Sequence, residues 1–207
     1  MDHRLPGLEI ELPAAGAPID GAGLFGFAPK RIWLEVGFGA GEHLADQARA
    51  HPDTGFLGCE PFLNGVARLL TAIDSGRLAN IRIFRDDARL LLAALPEAAI
   101  DRAFVLFPDP WPKARHHKRR FISSANLAEL ARVLCDGAEF RVATDDAGYQ
   151  AWILQHVLAA GPFQWTARRP ADWRRRPVDW PETRYEAKAL AAGRRCAYFR
   201  FVRKPRS

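Results

Sequence analysis

Residues 31–50 read RIWLEVGFGAGEHLADQARA, and the changes of character within this stretch decide the fold. Ile32 to Val36 is a short apolar run that reads as a strand. Gly37-Phe38-Gly39-Ala40-Gly41 interrupts it, and Glu42 to Ala50 then has the pattern of a helix. A second apolar run over Gly55 to Glu60 completes a β-α-β unit. Outward from there the alternation continues, with a helix over Asn64 to Ser75, a strand over Ile81 to Arg85, a helix over Ala88 to Leu95 and a strongly apolar strand over Arg102 to Phe107. Beyond a basic loop come a helix near Ser123 to Leu134, a strand over Glu139 to Ala143 and a helix near Tyr149 to Ala159. Strands separated by helices predict an α/β fold, a doubly wound and mostly parallel sheet covered on both faces. A short helical piece near Tyr185 to Ala192 and an alternating strand over Cys196 to Arg203 follow a polar, Arg/Trp/Pro-rich stretch.

Residues 1–30 are rich in Gly, Pro and Ala without clear periodicity, so they read as a loosely structured lead-in packed along an edge, and 31–207 as a single domain. With 207 residues, 48% hydrophobic and 26% charged, the chain can bury a substantial core and is neither disordered nor low-complexity. The net charge of +6 divides unevenly: Met1 to Ala103 carries −4, and Phe104 to Ser207 carries +10. A polyanionic partner is therefore expected on the second half. Cys59, Cys135 and Cys196 form neither a CxxC pair nor a disulfide framework, which fits a reducing cytoplasm. The longest apolar run, Leu90 to Leu95, stops at Pro96, so neither a leader peptide nor a membrane span is expected.

The glycines follow a strand directly, at the carboxyl edge where open sheets bind ligands. Their GxGxG spacing differs from the usual dinucleotide fingerprint, and alone it also fits a tight structural turn. Glu35 precedes the loop, Glu60 ends the next strand and Asp87 follows the third. A mouth ringed by carboxylates serves a pyrophosphate poorly and a cationic nucleoside well, which favours S-adenosylmethionine over NAD. Asp87 could equally cap the helix that follows it.

Phe107-Pro108-Asp109-Pro110-Trp111-Pro112-Lys113 follows the most apolar strand, so Asp109 belongs on the same edge, fixed between two prolines. Trp111 is either a stacking surface or a packed residue. From Lys113 to Arg120 run five permanent positive charges, two histidines and no acid. Such a run between an edge loop and a helix reads as a phosphate-binding ridge. Adjacent His116 and His117 have poor geometry for one metal. Arg168 to Arg176 and Arg194 to Arg206 extend the basic surface, and the three stretches hold 16 of the 30 Lys and Arg residues.

Together LEVGFGAGEH (34–43), GCEP (58–61), FPDPWPKARHHKRRF (107–121), ATD (143–145) and TRYE (183–186) resemble the bacterial tRNA (guanine-N7)-methyltransferase family, over roughly Ile32 to the end. The resemblance implies a Rossmann-like class I methyltransferase fold with a C-terminal antiparallel strand, S-adenosyl-L-methionine as cofactor, and methylation of N7 of the variable-loop guanine at position 46 of tRNA. Motif by motif, it implies cofactor binding at Glu35, Glu60, Asp87 and Asp109, with Asp109 also catalytic; Gly37, Gly39 and Gly41 join them because a glycine loop lets backbone approach the ligand closely. Substrate binding is implied at Lys113, Asp145, Thr183, Arg184, Tyr185 and Glu186, and RNA contact at Arg115, His116, His117, Lys118, Arg119 and Arg120. It implies no metal and no obligate protein partner. The beginning departs from the family, which often carries a longer Arg-rich segment: here only His3 and Arg4 precede a mostly neutral stretch. The expectation is less help with tRNA from that end, or a short start to the chain.

Two of these segments have second readings. Thr183-x-x-Glu186 before Ala-Lys-Ala-Leu is a capping box, and Asp145 could cap the helix after its strand. Two rival functions also follow from parts of the sequence. The glycine loop alone suggests a nicotinamide-dependent reductase, and the basic surface alone suggests a non-catalytic RNA-binding module.

Overall fold

β1 (Arg31–Val36) is buried at every position after Arg31. A strand covered on both faces has no solvent side to alternate with, so its sequence is apolar except for Glu35. β2 (Thr54–Cys59) is buried throughout for the same reason. The computed structural model describes residues 5–13 and 17–206. Within them the further strands are β3 (Ile81–Phe84), β4 (Ile100–Leu106), β5 (Leu134–Thr144), β6 (Phe163–Trp165) and β7 (Ala197–Arg203). All seven form one sheet in the order β3-β2-β1-β4-β5-β7-β6. β1 to β5 are parallel, and β7 lies antiparallel between β5 and β6.

α1 (Glu42–Ala50), α2 (Leu63–Gly76) and α7 (Arg184–Ala191) contribute to an apolar layer around Trp33, Phe56 and Phe104. α3 (Ala88–Ala94), α4 (Ser124–Val133), α5 (Ala147–Ala159) and the short α6 (Ala171–Arg174) contribute to the other layer, around Leu34, Leu57, Val105 and Val142. The doubly wound sheet expected from the alternation therefore forms, with its antiparallel last strand. β6 and α6 were not anticipated, because elements of three and four residues are too short to leave a hydrophobic period. β5 begins directly after α4, five residues ahead of the expected Glu139, and its pairing with β4 shifts register between Ile100 and Arg102.

The lead-in runs along the β3 edge: Ile10 N–H donates to Ile83 O at 2.8 Å and Ile83 N–H to Leu8 O at 2.8 Å. Ile10, Ile19 and Phe25 are buried against the sheet and α3. His3 and Arg4 lie outside the described residues. No helix among the described residues is long and apolar enough to cross a membrane.

The chain winds outward from β1 to β3 on one side and from β4 to β5 on the other, so β1 and β4 meet at the centre. Val36 stands level with Cys59 of β2 and Val105 of β4, which brings the loops after all three strands together. That crevice is where open sheets of this kind hold ligands.

Candidate active site

A cleft of about 270 Å³ opens there, lined by Gly37 and Gly39 after β1, Glu60 and Phe62 after β2, Asp109 and Trp111 after β4, and Tyr185 of α7. Gly39 has φ +58°, and a Cβ at that position would stand 2.9 Å from Cε2 of Tyr185. Only glycine allows both the backbone turn and the aromatic lid across it. Gly41 is not in the cleft wall; it occupies the N-cap position of α1.

Glu60 is buried, and its two oxygens accept from Gly39 N–H at 2.8 Å and Phe62 N–H at 3.1 Å. Burial pushes its carboxyl above the usual carboxylate range, against the pull of those two amides, and the nearby Asp109 carboxylate adds to the rise. The carboxylate thereby ties the glycine loop to the end of β2.

Asp109 is exposed at the cleft's rim. Its loop is bracketed by two non-glycine residues in the left-handed region, Phe107 at φ +50° and Trp111 at φ +43°. Such residues cost of order 1–3 kcal/mol each and persist where the surroundings over-determine them. Trp111 is half-buried, with the Arg119 guanidinium 4.8 Å from its ring centre and the His116 ring edge-on at 5.9 Å. Lys113 is exposed just before a 3-10 turn (Ala114–Arg119) and Arg115, Lys118 and Arg119 are exposed along it, whereas His116 and His117 are half-buried, His117 against Trp152 at 5.1 Å.

Three further sequence expectations, besides Gly41, meet a different arrangement. Glu35 does not line the cleft: it is buried beneath the loop, its Oε2 2.7 Å from Nδ1 of buried His43 on α1. Asp87 caps α3, accepting from Arg89 N–H at 3.0 Å, and the Arg89 guanidinium bonded to it lowers its carboxyl pKa. Arg120 is 6% exposed and therefore not a surface contact for RNA. Its Nε donates to Pro110 O at 2.7 Å, and its guanidinium lies over the rings of Tyr149 and Trp152.

Beyond the cleft, toward β7, a second cavity of about 740 Å³ is floored by Trp173 and Tyr198 and rimmed by Asp145, Arg174, Arg194 and Arg195. Asp145 pairs with Arg194 at 2.5 Å, while the neighbouring Asp146 caps α5 by accepting from Tyr149 N–H at 2.7 Å. Thr183 caps α7 by accepting from Glu186 N–H at 3.2 Å, half of a capping box. The buried Glu186 carboxylate turns instead to the Tyr198 hydroxyl at 2.5 Å and Arg176 Nε at 2.9 Å, and burial followed by that carboxylate drives the Tyr198 pKa upward. Arg184 lies over the exposed Tyr185 ring at 5.3 Å.

Sequence reasoning missed His43, Tyr198 and Gly65, and read Arg176 as surface where it pairs with the buried Glu186. Gly65 alone had a visible signal, a glycine inside the helical pattern of α2: a Cβ there would stand 2.1 Å from Gly39 O, so α2 packs directly on the glycine loop. Among the described residues no group of three or more His, Cys, Asp or Glu could hold a metal ion.

Solved structures share this architecture at low identity. The 16S rRNA methyltransferase KamB superposes with a TM-score of 0.61 at 17% identity over 86% of this chain and 89% of its own. The [4+2]-cyclase SpnF does so with 0.58 at 16% over 85% and 75%. A methyltransferase and a cyclase fit comparably, so the fold alone does not fix the chemistry. A family model described as "Putative methyltransferase" matches residues 29–198. The tRNA (guanine-N(7)-)-methyltransferase of Rhodospirillum rubrum is 52% identical over 100% of this chain and 82% of its own. That of Chelativorans sp. is 49% identical over 98% and 87%. Identity of about half the residues along nearly the whole chain, with a family model that matches residues 29–198, places the chain in the tRNA (guanine-N(7)-)-methyltransferase family.

Proposed function

We propose that this protein transfers a methyl group from S-adenosyl-L-methionine to N7 of the variable-loop guanine at position 46 of tRNA, giving 7-methylguanosine. The observation that carries the reading is the position of Asp109, exposed at the rim of a cleft walled by glycine backbone and the buried Glu60.

The residues fit the cofactor. A Cβ at Gly37 would meet nothing within 4 Å, so that backbone faces open space in the cleft. Glu60 is the acceptor placed for ribose hydroxyls, and Asp109 stands at the rim for a positive centre. When bound, S-adenosyl-L-methionine supplies an electrophilic methyl group on a sulfonium. Glu35 supports the site indirectly, because its bond to His43 spans the glycine loop from β1 to α1. Asp87 acts from the end of β3 while capping α3.

Guanine N7 carries an in-plane lone pair and no proton, so neither a general base nor a Lewis acid is needed to create the nucleophile. What the chain contributes is alignment and charge. The Asp109 carboxylate accepts from the guanine's N1 and N2 hydrogens, orients N7 toward the methyl group and offsets the positive charge arriving on the purine. In folded tRNA the base must leave its tertiary contacts, and Trp111 offers a face for it. Lys113, Arg115, Lys118 and Arg119 hold backbone phosphates, while Asp145 and the Thr183 to Glu186 segment border the substrate side.

The deciding experiment is incubation with labelled methyl donor and unmodified tRNA followed by nucleoside analysis. Label in 7-methylguanosine is expected; label in another nucleoside, or none in tRNA, overturns the reading.

A further inference from the structure

Arg120 closes the run of basic residues, yet it is the one buried among them. Its Nε donates to Pro110 O at 2.7 Å and its Nη2 reaches Trp111 O at 3.4 Å. The guanidinium lies 4.5 Å from the Trp152 ring centre and 5.1 Å from that of Tyr149. Those rings in turn hold the next turn of chain, since Trp152 Nε1–H donates to Ile122 O at 2.7 Å and Ile122 N–H to the Tyr149 hydroxyl at 3.4 Å. Among the described residues no carboxylate forms an ion pair with Arg120; carbonyl dipoles and aromatic faces stand in for one.

The two carbonyls it holds belong to the residues directly after Asp109, and Trp111 is one of the two left-handed residues bracketing that loop. A strained conformation needs something that over-determines it, and a guanidinium reaching two successive carbonyls does so. Next to Arg120 in the chain, Arg119 lies over the Trp111 ring and lines the cleft. One end of the basic ridge is therefore built into the loop that carries Asp109.

We infer that Arg120 is a positioning residue: it clamps the Pro110 and Trp111 carbonyls, fixes the direction of the Asp109 carboxylate and touches no RNA. The inference rests on the methyl-transfer reading for its rate readout. The test compares Arg120→Met and Arg120→Lys with Lys118→Ala as the standard for a lost phosphate contact. Three quantities are measured: steady-state methylation of unmodified tRNA, tRNA affinity across salt concentration, and hydrogen exchange of the peptide covering 107–113.

Misplacing a reacting group by about 1 Å costs about 100-fold, so Arg120→Met is expected to lower kcat by about that factor. KM for tRNA and the salt slope of binding stay at the wild-type values, and exchange in 107–113 quickens. Arg120→Lys, able to reach one carbonyl, recovers part of kcat. Lys118→Ala lowers the salt slope by about one. A similar loss of slope in Arg120→Met with kcat intact would make Arg120 an RNA contact and overturn the inference. If Arg120→Met does not fold, Arg120→Lys decides: reduced kcat at unchanged slope supports the clamp, and unchanged kcat overturns it. If the wild type methylates no tRNA, the functional proposal fails separately, and unaltered exchange in 107–113 would then sink the clamp as well.

Discussion

Asp109 owes its place to its neighbours: two prolines, two left-handed residues and the Arg120 guanidinium hold the loop, leaving the carboxylate free at the cleft's rim. Asp109→Asn keeps the size and removes the charge, so kcat should fall about 10²- to 10³-fold, the range for losing one preorganised electrostatic group. S-adenosylhomocysteine and tRNA affinities measured alongside should change far less; near-normal turnover would contradict the role. Glu60 gives a pH prediction of definite sign. Its folded pKa lies above the ordinary 4.5 because of burial, so the folded chain holds that proton more tightly than the unfolded chain. The contribution of Glu60 to stability is therefore greatest below 4.5 and is lost as pH rises through the folded value. In thermal unfolding from about pH 4 to 7, the stability of the wild type minus that of Glu60→Gln should decline as pH rises. A flat or growing difference would reverse the assignment. The placement of Glu60 and Asp109 at the cleft was legible because each lies within three residues of the end of an apolar strand. The Glu35–His43 pair and the burial of Arg120 were not, because a side chain's tertiary partner leaves no trace in local periodicity.

At the scale of elements, α2 matters through a side chain it lacks. Alanine is the better helix former by about 0.8–1.0 kcal/mol, so propensity favours Gly65→Ala. The 2.1 Å approach of the new Cβ to Gly39 O opposes it, and because the atom met is backbone the glycine loop must move. Calorimetry should find S-adenosylhomocysteine binding about 5- to 150-fold weaker in Gly65→Ala, since burial of a misfitting methyl group costs about 1–3 kcal/mol; equal affinity would show that the loop tolerates the shift. The elements from β1 to α5 were legible because each strand spans at least two strand periods and each helix about two turns or more. β6 and α6 escaped because Trp165 and Trp173, which pack near Phe199, gain their role only once β7 is in place.

For the whole molecule, the acidic first half contributes Glu60 to the cleft wall, with Glu35 buried beneath the glycine loop and Asp87 capping α3, and the basic second half surrounds Asp109 with exposed cations. Not all 16 residues of the three basic stretches are available to RNA. Arg120 is buried, Arg194 is paired with Asp145, Arg176 with Glu186, and Arg203 and Arg206 with Asp136. The usable surface is smaller than the composition suggested, and its core is the ridge beside Trp111. Filter binding of tRNA should still weaken by more than about ten-fold between 50 and 200 mM salt, as expected when several phosphates are neutralised. A flat response would remove the ridge from the interface. The sequence told where positive charge accumulates; which cations are already spent inside the protein depends on distant acids brought near by folding.

β7 lies between β5 and β6, and among the described residues β6 finds its sheet partner only in β7. On the ribosome, where residues emerge at about 5–20 per second, β1 to β5 can assemble while β6 waits for a partner about 30 residues downstream. The edge bearing Asp145, Trp173 and Tyr198 is thus completed last. A nascent chain can hold the glycine loop and the Asp109 loop before α7 brings Tyr185 to the cleft and before the second cavity exists, so premature release would leave both the cleft wall and that cavity unfinished.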